Sequence, residues 1–132
     1  MIVVDASAAV ELLLGTARGI AVAERLFDPA ESLHAPELLD LEIAQVLRRY
    51  ERAGILDAAR AEAALSDFAD LPLERYSHRL LLPRAWELRA NLTIYDAVYI
   101  ALAELLEAPL LTGDAALAFT QHRARIELLP EI

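Results

Sequence analysis

Short apolar strands alternate with longer helical segments along the chain, and this alternation is the feature that most limits how it can fold. Ile2 to Val4 is a β-branched strand, and Asp5 directly after it is placed to cap a helix that runs through Leu12 to Leu14 and stops at Gly15. The same strand-then-helix order recurs to the end of the sequence. It predicts an α/β fold with three layers, α/β/α, in which helices cover both faces of a mostly parallel central sheet through right-handed crossovers.

Start and stop signals divide the rest of the chain into short elements. Helices are predicted from Arg18 to Phe27, Pro36 to Arg52, Asp57 to Ala69, Ser77 to Arg89 and Thr93 to Glu107, with a short helix opened by Gly113-Asp114. Strands are predicted at Ser32 to Ala35, at Leu71 to Leu73 as an edge strand, at Pro109 to Leu111 and at Ile126 to Leu129. With 132 residues and no repeat or linker, we expect a single domain over residues 1–132.

Composition excludes several kinds of chemistry. The chain has no cysteine, which excludes a disulfide framework, a thiol nucleophile and a cysteine metal site. It also has no lysine, which excludes a P-loop nucleotide site and the aspartyl-phosphate chemistries that need a lysine. A net charge of −9 means that only a local arginine patch could hold a nucleic acid. The candidates for phosphate contacts are Arg84, Arg89, Arg123 and Arg125.

The sequence shows no membrane or targeting signal. The longest purely apolar run, Ala97 to Ala103, has seven residues, too few to cross a bilayer. The amino terminus has no basic segment followed by an apolar core, so we expect a cytoplasmic protein that does not enter a membrane. Two leucine triplets, Leu12 to Leu14 and Leu80 to Leu82, carry more apolar surface than one helix face each can bury. Either they contact protein partners or their helices are buried on two sides.

Acidic residues follow two of the predicted strands. Asp5 comes directly after the first strand, and Asp114 follows the Pro109 to Leu111 strand after Thr112-Gly113. Because parallel strands end at one edge of a sheet, both carboxylates should lie at the same rim, where α/β proteins bind ligands. Asp96 lies in the first turn of the helix that Thr93 opens. Capping of a helix end is the alternative role for each of these aspartates.

Glu42 is placed differently from the aspartates. At helical spacing it lies between Leu38 and Val46, on the apolar face of the predicted Pro36 to Arg52 helix. A carboxylate on a core face is costly unless it is paired or bound to a metal. An ion pair with an arginine of another helix and membership of a metal site are the two explanations that the sequence leaves open.

Four segments follow one another in a characteristic order: Val3 to Ser7, Leu41 to Leu47, Tyr95 to Ala103 and Leu111 to Asp114. In this order and at these separations they resemble the PIN-domain ribonucleases and, among them, the VapC-like toxins of type II toxin–antitoxin pairs. The resemblance implies an acidic site whose residues are both catalytic and metal-binding, supported by two hydroxyl side chains. The acids are Asp5, Glu42, Asp96 and Asp114, and the supporting residues are Ser7 and Thr112.

The resemblance also implies cofactor and partners. It implies an RNA substrate cut at a restricted sequence or loop, a homodimer, and a small cognate antitoxin that wraps the amino-terminal helices. Oxygen ligands without a histidine or cysteine cluster suit Mg²⁺ or Mn²⁺, which can activate a water for phosphodiester hydrolysis. With two metals Asp5 would be a shared ligand, whereas with one metal Asp96 or Asp114 could act on the water. Ala115 to Leu117 lacks the further acid that some relatives carry, which argues against a tightly held second ion.

The remaining candidates have simpler interpretations. His34, His78 and His122 are dispersed without metal-ligand spacing, so we expect structural or surface roles for them. Tyr95, beside Asp96, is either a core or interface residue or a platform on which a base stacks. The alternative to a toxin ribonuclease is a catalytically weak PIN-fold module that serves as a protein-docking surface.

Overall fold

A five-stranded sheet of parallel strands forms the centre of the protein, as described by a computed structural model of residues 1–131. The strands are β1 (Ile2–Val4), β2 (Leu33–Pro36), β3 (Leu73–Tyr76), β4 (Leu110–Thr112) and β5 (Ile126–Leu128). The helices are α1 (Ala6–Leu14), α2 (Ala17–Leu26), α3 (Leu38–Arg52), α4 (Ala58–Ala69), α5 (His78–Glu87) and α6 (Ile94–Leu106), followed by a 3₁₀ helix (Ala115–Phe119). The predicted α/β class is confirmed.

The strand order β3-β2-β1-β4-β5 determines where a ligand can bind. From β1 the chain moves outward through β2 to β3, and after β3 it crosses back to the other side of β1, where β4 lies. Right-handed crossovers then place α1 to α4 on one face and α5 and α6 on the other. The contacts agree, because α1 packs on α2, α3 and α4 while α5 packs on α6. The direction of winding reverses between β1 and β4, and α/β sheets open a crevice at such a point.

Two predicted boundaries are wrong. The edge strand was expected at Leu71 to Leu73, but β3 runs from Leu73 to Tyr76 and includes the exposed Glu74 and Arg75. Polar residues fit there because an edge strand has only one neighbour and one face can remain in water. Pro36 was expected in the first turn of a helix, but it ends β2, in register with Tyr76, and α3 begins at Leu38.

The first leucine triplet is packed inside the protein. Leu13 is buried, and Leu12 and Leu14 are partly buried against the core, because α1 is covered by α2, α3 and α4. A glycine allows the close approach of α2: a Cβ on Gly19 would lie 2.1 Å from the carbonyl oxygen of Glu11. Of the two explanations for this triplet, burial on two sides is therefore the one observed.

The second leucine triplet is divided between the core and the surface. Leu81 is buried, whereas Leu80 and Leu82 are exposed along α5 together with Trp86. Among residues 1–131, no single helix is long and apolar enough to span a membrane. Helices α1 and α2 reach such a length only in combination, and a bend of 109° separates them.

Candidate active site

Asp5 lies at the reversal point of the sheet, directly after β1. Its backbone N–H donates to the carbonyl of Leu111 in β4, and its side chain caps α1 by accepting from the backbone N–H of Ala8 at 3.1 Å. Only 9% of the residue is exposed to solvent. The capping role predicted for Asp5 is thus real, but the same carboxylate also points into a cleft.

Two hydroxyl groups hold the Asp5 carboxylate in place. Ser7 Oγ donates to Asp5 Oδ1 at 2.6 Å, and Thr112 Oγ1 donates to Oδ2 at 2.5 Å. Ser7 Oγ in turn accepts from the backbone N–H of Gly113 at 2.7 Å. A Cβ on residue 113 would lie 3.3 Å from Ser7 Oγ, so glycine leaves room for this contact between the ends of β1 and β4. Ser7 and Thr112 therefore fix the orientation of the central carboxylate.

Glu42 reaches the same cleft from α3. Its Oε1 accepts a 2.6 Å hydrogen bond from the hydroxyl of Tyr99, which lies on α6 in the opposite helical layer. Among residues 1–131 no arginine pairs with Glu42, so the ion pair considered from the sequence is not observed. Burial raises the pKa of the Tyr99 hydroxyl, and its bond to Glu42 raises it further, which keeps Tyr99 a donor.

Asp96 and Asp114 complete the acidic lining. Asp96 lies in the first turn of α6, where Thr93 caps the helix by accepting from the Asp96 backbone N–H at 3.1 Å. Asp114 is exposed at the rim and caps the 3₁₀ helix through the backbone N–H of Ala116. All four predicted acids line one cleft of about 180 Å³, together with Ser7 and Tyr99.

Three carboxylates of this cleft, those of Asp5, Glu42 and Asp96, have raised pKa values. Burial raises the pKa of Asp5 above its usual value although Ser7, Thr112 and Ala8 donate hydrogen bonds that act in the opposite direction. Burial also raises the pKa of Glu42, with smaller contributions from the charges of Asp5 and Asp96. For Asp96 the causes are burial and then the charge of Asp114. A bound cation would relieve both the desolvation and the repulsion.

The acids converge on a cleft without forming a closed cage. In the part of the chain that the structure describes, no three His, Asp or Glu side chains are close enough together to enclose a metal ion. Mg²⁺ does not need such a cage, because it retains several waters and is commonly held by one or two carboxylates and by phosphate oxygens of the substrate. An all-oxygen donor set with one oriented carboxylate therefore fits Mg²⁺ or the similarly hard Mn²⁺.

The candidate arginines do not line this cleft. Arg84 and Arg123 bind Glu104, and Arg89 stacks on Trp86, with its guanidinium carbon 4.3 Å from the ring centre. Arg125 lines a separate cavity beside Arg123.

The three histidines have structural roles, as predicted. His34 bonds to Ser32 and Tyr76, and His78 Nε2 accepts from the first backbone N–H of α3. His122 contacts the Leu117 carbonyl within the 3₁₀ helix and accepts from the backbone N–H of Ala124. Since Glu37 provides no side-chain cap, His78 helps to fix the start of the helix that carries Glu42.

Sequence reasoning missed Tyr99. This residue lies three positions after Asp96, so the two share one face of α6. That spacing was the available signal. Tyr99 stands within the apolar run from Ala97 to Ala103, however, so the sequence alone favoured a core role for it. The partner of its hydroxyl, Glu42, is 57 residues away and becomes evident only in the fold.

Comparisons with known proteins agree with the fold. The family model described as the PIN domain matches residues 2–122. Ribonuclease VapC9 of Mycobacterium tuberculosis is 46% identical over 98% of this chain and 99% of that protein. Ribonuclease VapC12 of the same organism is 41% identical with the same coverage. The solved structure of VapBC2 from Rickettsia felis, bound to a DNA fragment from the promoter, has a TM-score of 0.75 at 14% identity and covers 98% of this chain and 100% of that chain.

The family match spans most of the chain, and the two relatives cover nearly all of it. The chain belongs to the PIN-domain family, and within that family it is a VapC-like member.

Proposed function

We propose that this protein is a metal-dependent endoribonuclease that acts as the toxin of a toxin–antitoxin pair in the cytoplasm, with its site inside a single domain over residues 1–132. The observation that carries the proposal is the convergence of Asp5, Glu42, Asp96 and Asp114 on one cleft at the reversal point of the sheet. The names of the VapC relatives, which are ribonucleases, give the substrate class.

Side chains of the protein orient the acidic ligands and accept a proton from the attacking water. Ser7 and Thr112 leave the Asp5 carboxylate little freedom to rotate, so its remaining lone pairs face the cleft. Tyr99 holds Glu42 in the same way. Asp114 is exposed and Asp96 is half-buried, and either is placed to accept the proton of an attacking water.

A divalent cation fits this set of ligands. Asp5, Glu42, Asp96 and Asp114 are the residues that would hold Mg²⁺ or Mn²⁺. Bound there, the ion would lower the pKa of a water and offset charge on the scissile phosphate. Without a cation, the cleft on a protein of net charge −9 would repel the phosphodiester backbone.

Incubation of purified protein with total RNA tests the proposal. We expect fragments with a restricted set of ends when Mg²⁺ or Mn²⁺ is present, and intact RNA when a chelator replaces it. Asp96→Asn is the matched control, because it preserves the shape of the side chain and, purified identically, reports any contaminating nuclease. Intact RNA with wild-type protein and metal, or equal cleavage by Asp96→Asn, would overturn the proposal.

The proposed partners are a small antitoxin and a second copy of the chain. An arginine from an antitoxin would match a pair of carboxylates in the acidic cleft and so exclude the cation. The exposed Leu80, Leu82 and Trp86 of α5 offer an apolar surface for the second copy. Co-expression with the product of the neighbouring small gene tests the antitoxin: it should bind and stop cleavage, and a bound product that leaves cleavage intact would contradict inhibition.

Burial decides which residue of the amino-terminal helices can report on the antitoxin contact. Leu13 is buried, so Leu13→Glu would damage the fold before it reported on a partner. Ile20 on α2 is 64% exposed and is the better position. Ile20→Glu should weaken the complex while leaving the melting temperature of the free protein unchanged.

A further inference from the structure

A second cavity opens beside the acidic cleft. It has a volume of about 290 Å³ and shares Ala6 and Glu42 with the cleft. Its other lining residues include Leu41, Gln45 and Arg49 of α3 and Tyr95 at the start of α6. Because Tyr95 directly precedes Asp96 in sequence, any group held in this cavity would lie next to the acids.

Tyr95 has the properties of a stacking platform. Its side chain is 65% exposed although it lines a cavity, so most of its surface faces solvent. Among residues 1–131 its hydroxyl makes no hydrogen bond to another side chain, whereas the hydroxyl of Tyr99, one turn later, bonds to Glu42. A ring with this exposure, whose hydroxyl is not engaged by another side chain among residues 1–131, is available to stack on the base of a single-stranded nucleic acid.

Arg49 places a free positive charge at the same cavity. In the described part of the chain, the arginines that pair with carboxylates are Arg18, Arg25, Arg75, Arg84 and Arg123. The guanidinium carbon of Arg49 instead lies 6.0 Å from the centre of the Tyr50 ring. An unpaired arginine beside an acidic cleft suits a phosphate.

Helix α3 connects this charge to the proposed catalytic site. Glu42, Gln45 and Arg49 are spaced i, i+3 and i+7, so they form one stripe on the helix. The rise between Glu42 and Arg49 is about 10 Å along the helix axis. Between them, Gln45 offers both an amide donor and a carbonyl acceptor to the edge of a base. Acid, amide and guanidinium thus follow one another along one side of α3.

We propose that this cavity binds one nucleotide of single-stranded RNA next to the bond that is cut, with the base stacked on Tyr95 and a phosphate paired with Arg49. The inference rests on the proposed function, because it takes RNA as the substrate, and it assigns the residues that position that RNA. A basic antitoxin segment fits the cavity less well, since a cation approaching the acids from this side would meet Arg49.

Two fluorescent probes separate the roles of the ring and the charge. One is oligoadenylate RNA, and the other is an abasic ribose-phosphate chain of the same length. Both are titrated by anisotropy in Mg²⁺, and every protein carries Asp96→Asn so that nothing is cut. The protein with Tyr95 intact should prefer oligoadenylate. Tyr95→Ala should weaken oligoadenylate binding about 5- to 150-fold and remove the preference, whereas Tyr95→Phe should retain it. No preference with Tyr95 intact, or an unchanged preference in Tyr95→Ala, would overturn the proposal.

The charge of Arg49 should affect the binding of the two probes differently from the Tyr95 ring. Arg49→Ala should weaken both probes by the same factor, and the slope of log affinity against log salt should become shallower by about 0.7, the value for one phosphate contact on a single strand. Arg48→Ala is the matched control, because it removes an exposed charge from the adjacent position outside the cavity and should leave that slope unchanged. Phe27→Ala removes a distant exposed ring and should leave the base preference unchanged. Equal slopes for Arg49→Ala and wild type would contradict the phosphate contact.

Kinetics distinguish this proposal from its alternatives. Tyr95→Ala should raise KM for RNA with kcat close to wild type. A lower kcat at unchanged KM would mean that Tyr95 acts by positioning Asp96, and it would overturn the subsite. A weaker antitoxin complex with unchanged RNA binding would overturn it as well, because it would assign the cavity to a protein. If the base preference is present but no RNA is cut, the ribonuclease proposal fails while the nucleotide site stands.

Discussion

Buried carboxylates have different hydrogen-bond partners, and opposite pKa shifts, in the acidic cleft and in the cluster around Glu104. Glu104 on α6 has a side chain that is only 5% exposed. Arg84 donates two hydrogen bonds to its carboxylate, at 2.7 and 3.1 Å, and the backbone N–H of Arg123 donates a third at 3.0 Å. These bonds, with Arg84 first, hold the pKa of Glu104 below its usual value. Asp5 is similarly buried but receives hydrogen bonds only from hydroxyls and one amide, and its pKa is raised.

The difference separates structural carboxylates from functional ones. Around Glu104 the positive charge comes from the chain itself, so the cluster is complete without a ligand. In the cleft, no arginine pairs with Asp5 or Glu42 within residues 1–131, so the compensating charge must come from outside. Unpaired acids with raised pKa values, gathered in a cleft, mark the site at which a cation is stabilising.

The sharpest test of this contrast substitutes one acid from each region. Asp5→Asn, Glu42→Gln, Asp96→Asn and Asp114→Asn should each reduce RNA cleavage by about 100-fold or more, because groups that act as one unit fail together. A double variant should be little worse than a single one. Glu104→Gln should cleave RNA at nearly the wild-type rate when folded. Near-normal cleavage by Asp96→Asn, or a loss of cleavage in Glu104→Gln as large as in the cleft variants, would contradict the distinction between functional and structural carboxylates.

The hydroxyl supports should show an intermediate effect on activity. Ser7→Ala and Thr112→Val each remove one donor to the Asp5 carboxylate without removing the carboxylate itself. We expect cleavage to fall by about 10- to 100-fold, the usual range for groups that orient a ligand. Higher metal concentration should partly restore the rate, since orientation changes affinity for the ion. Ser32→Ala, which alters a hydroxyl bonded to His34, is the control and should leave kcat unchanged.

Stability should change in opposite directions in the two regions. Glu104→Gln weakens charge-assisted hydrogen bonds and should lower the free energy of unfolding by about 1.5–3 kcal/mol. Glu42→Gln retains an oxygen that can accept from Tyr99 and removes a charge that burial disfavours, so it should raise the free energy of unfolding of the metal-free protein. Denaturant unfolding at pH 7 in chelator measures both, and the same sign for both variants would contradict the comparison.

The cleft acids and Glu104 should affect the free energy of unfolding in two different pH ranges. The pKa values of Asp5, Glu42 and Asp96 are raised in the folded state, so that state binds more protons and metal-free stability should fall as pH rises above the ordinary values of 3.8 and 4.5. The pKa of Glu104 is lowered, so its contribution is present above 4.5 and is lost as pH falls through its folded value. Glu42→Gln should flatten the decline toward neutral pH, and Glu104→Gln should flatten the loss in acid. If neither substitution changes the profile, the assigned causes are wrong.

The sequence predicted those features whose signals lie among neighbouring residues. Asp5 and Asp114 were placed correctly because Asp5 directly follows β1, Asp114 comes two residues after β4, and parallel strands end at one rim. Glu42 was singled out because the helical period put a charge on an apolar face. The edge strand was misplaced because its Glu74 and Arg75 carry no apolar signal.

The signals that sequence reasoning missed are contacts between distant segments. The bond from Tyr99 to Glu42 spans 57 residues, and the one from Thr112 to Asp5 spans 107. Thr112 entered the prediction only through the resemblance to a family. Arg84 was a candidate for phosphate contacts, and the sequence could not show that Glu104, 20 residues later, would occupy its guanidinium. Only the packing of α5 on α6 brings that pair together.

Chemical unfolding with and without manganese tests most directly whether the acidic cleft takes its positive charge from a bound cation, as Glu104 takes it from Arg84. At about 100 times its dissociation constant, Mn²⁺ should add about 2.7 kcal/mol to the free energy of unfolding of the wild-type protein over the value in chelator. Glu104→Gln should show the same gain from a lower starting stability, whereas Asp5→Asn and Asp96→Asn should lose most of it. Equal stability of the wild-type protein in manganese and in chelator, or a full gain in Asp5→Asn, would contradict a cation site in the cleft.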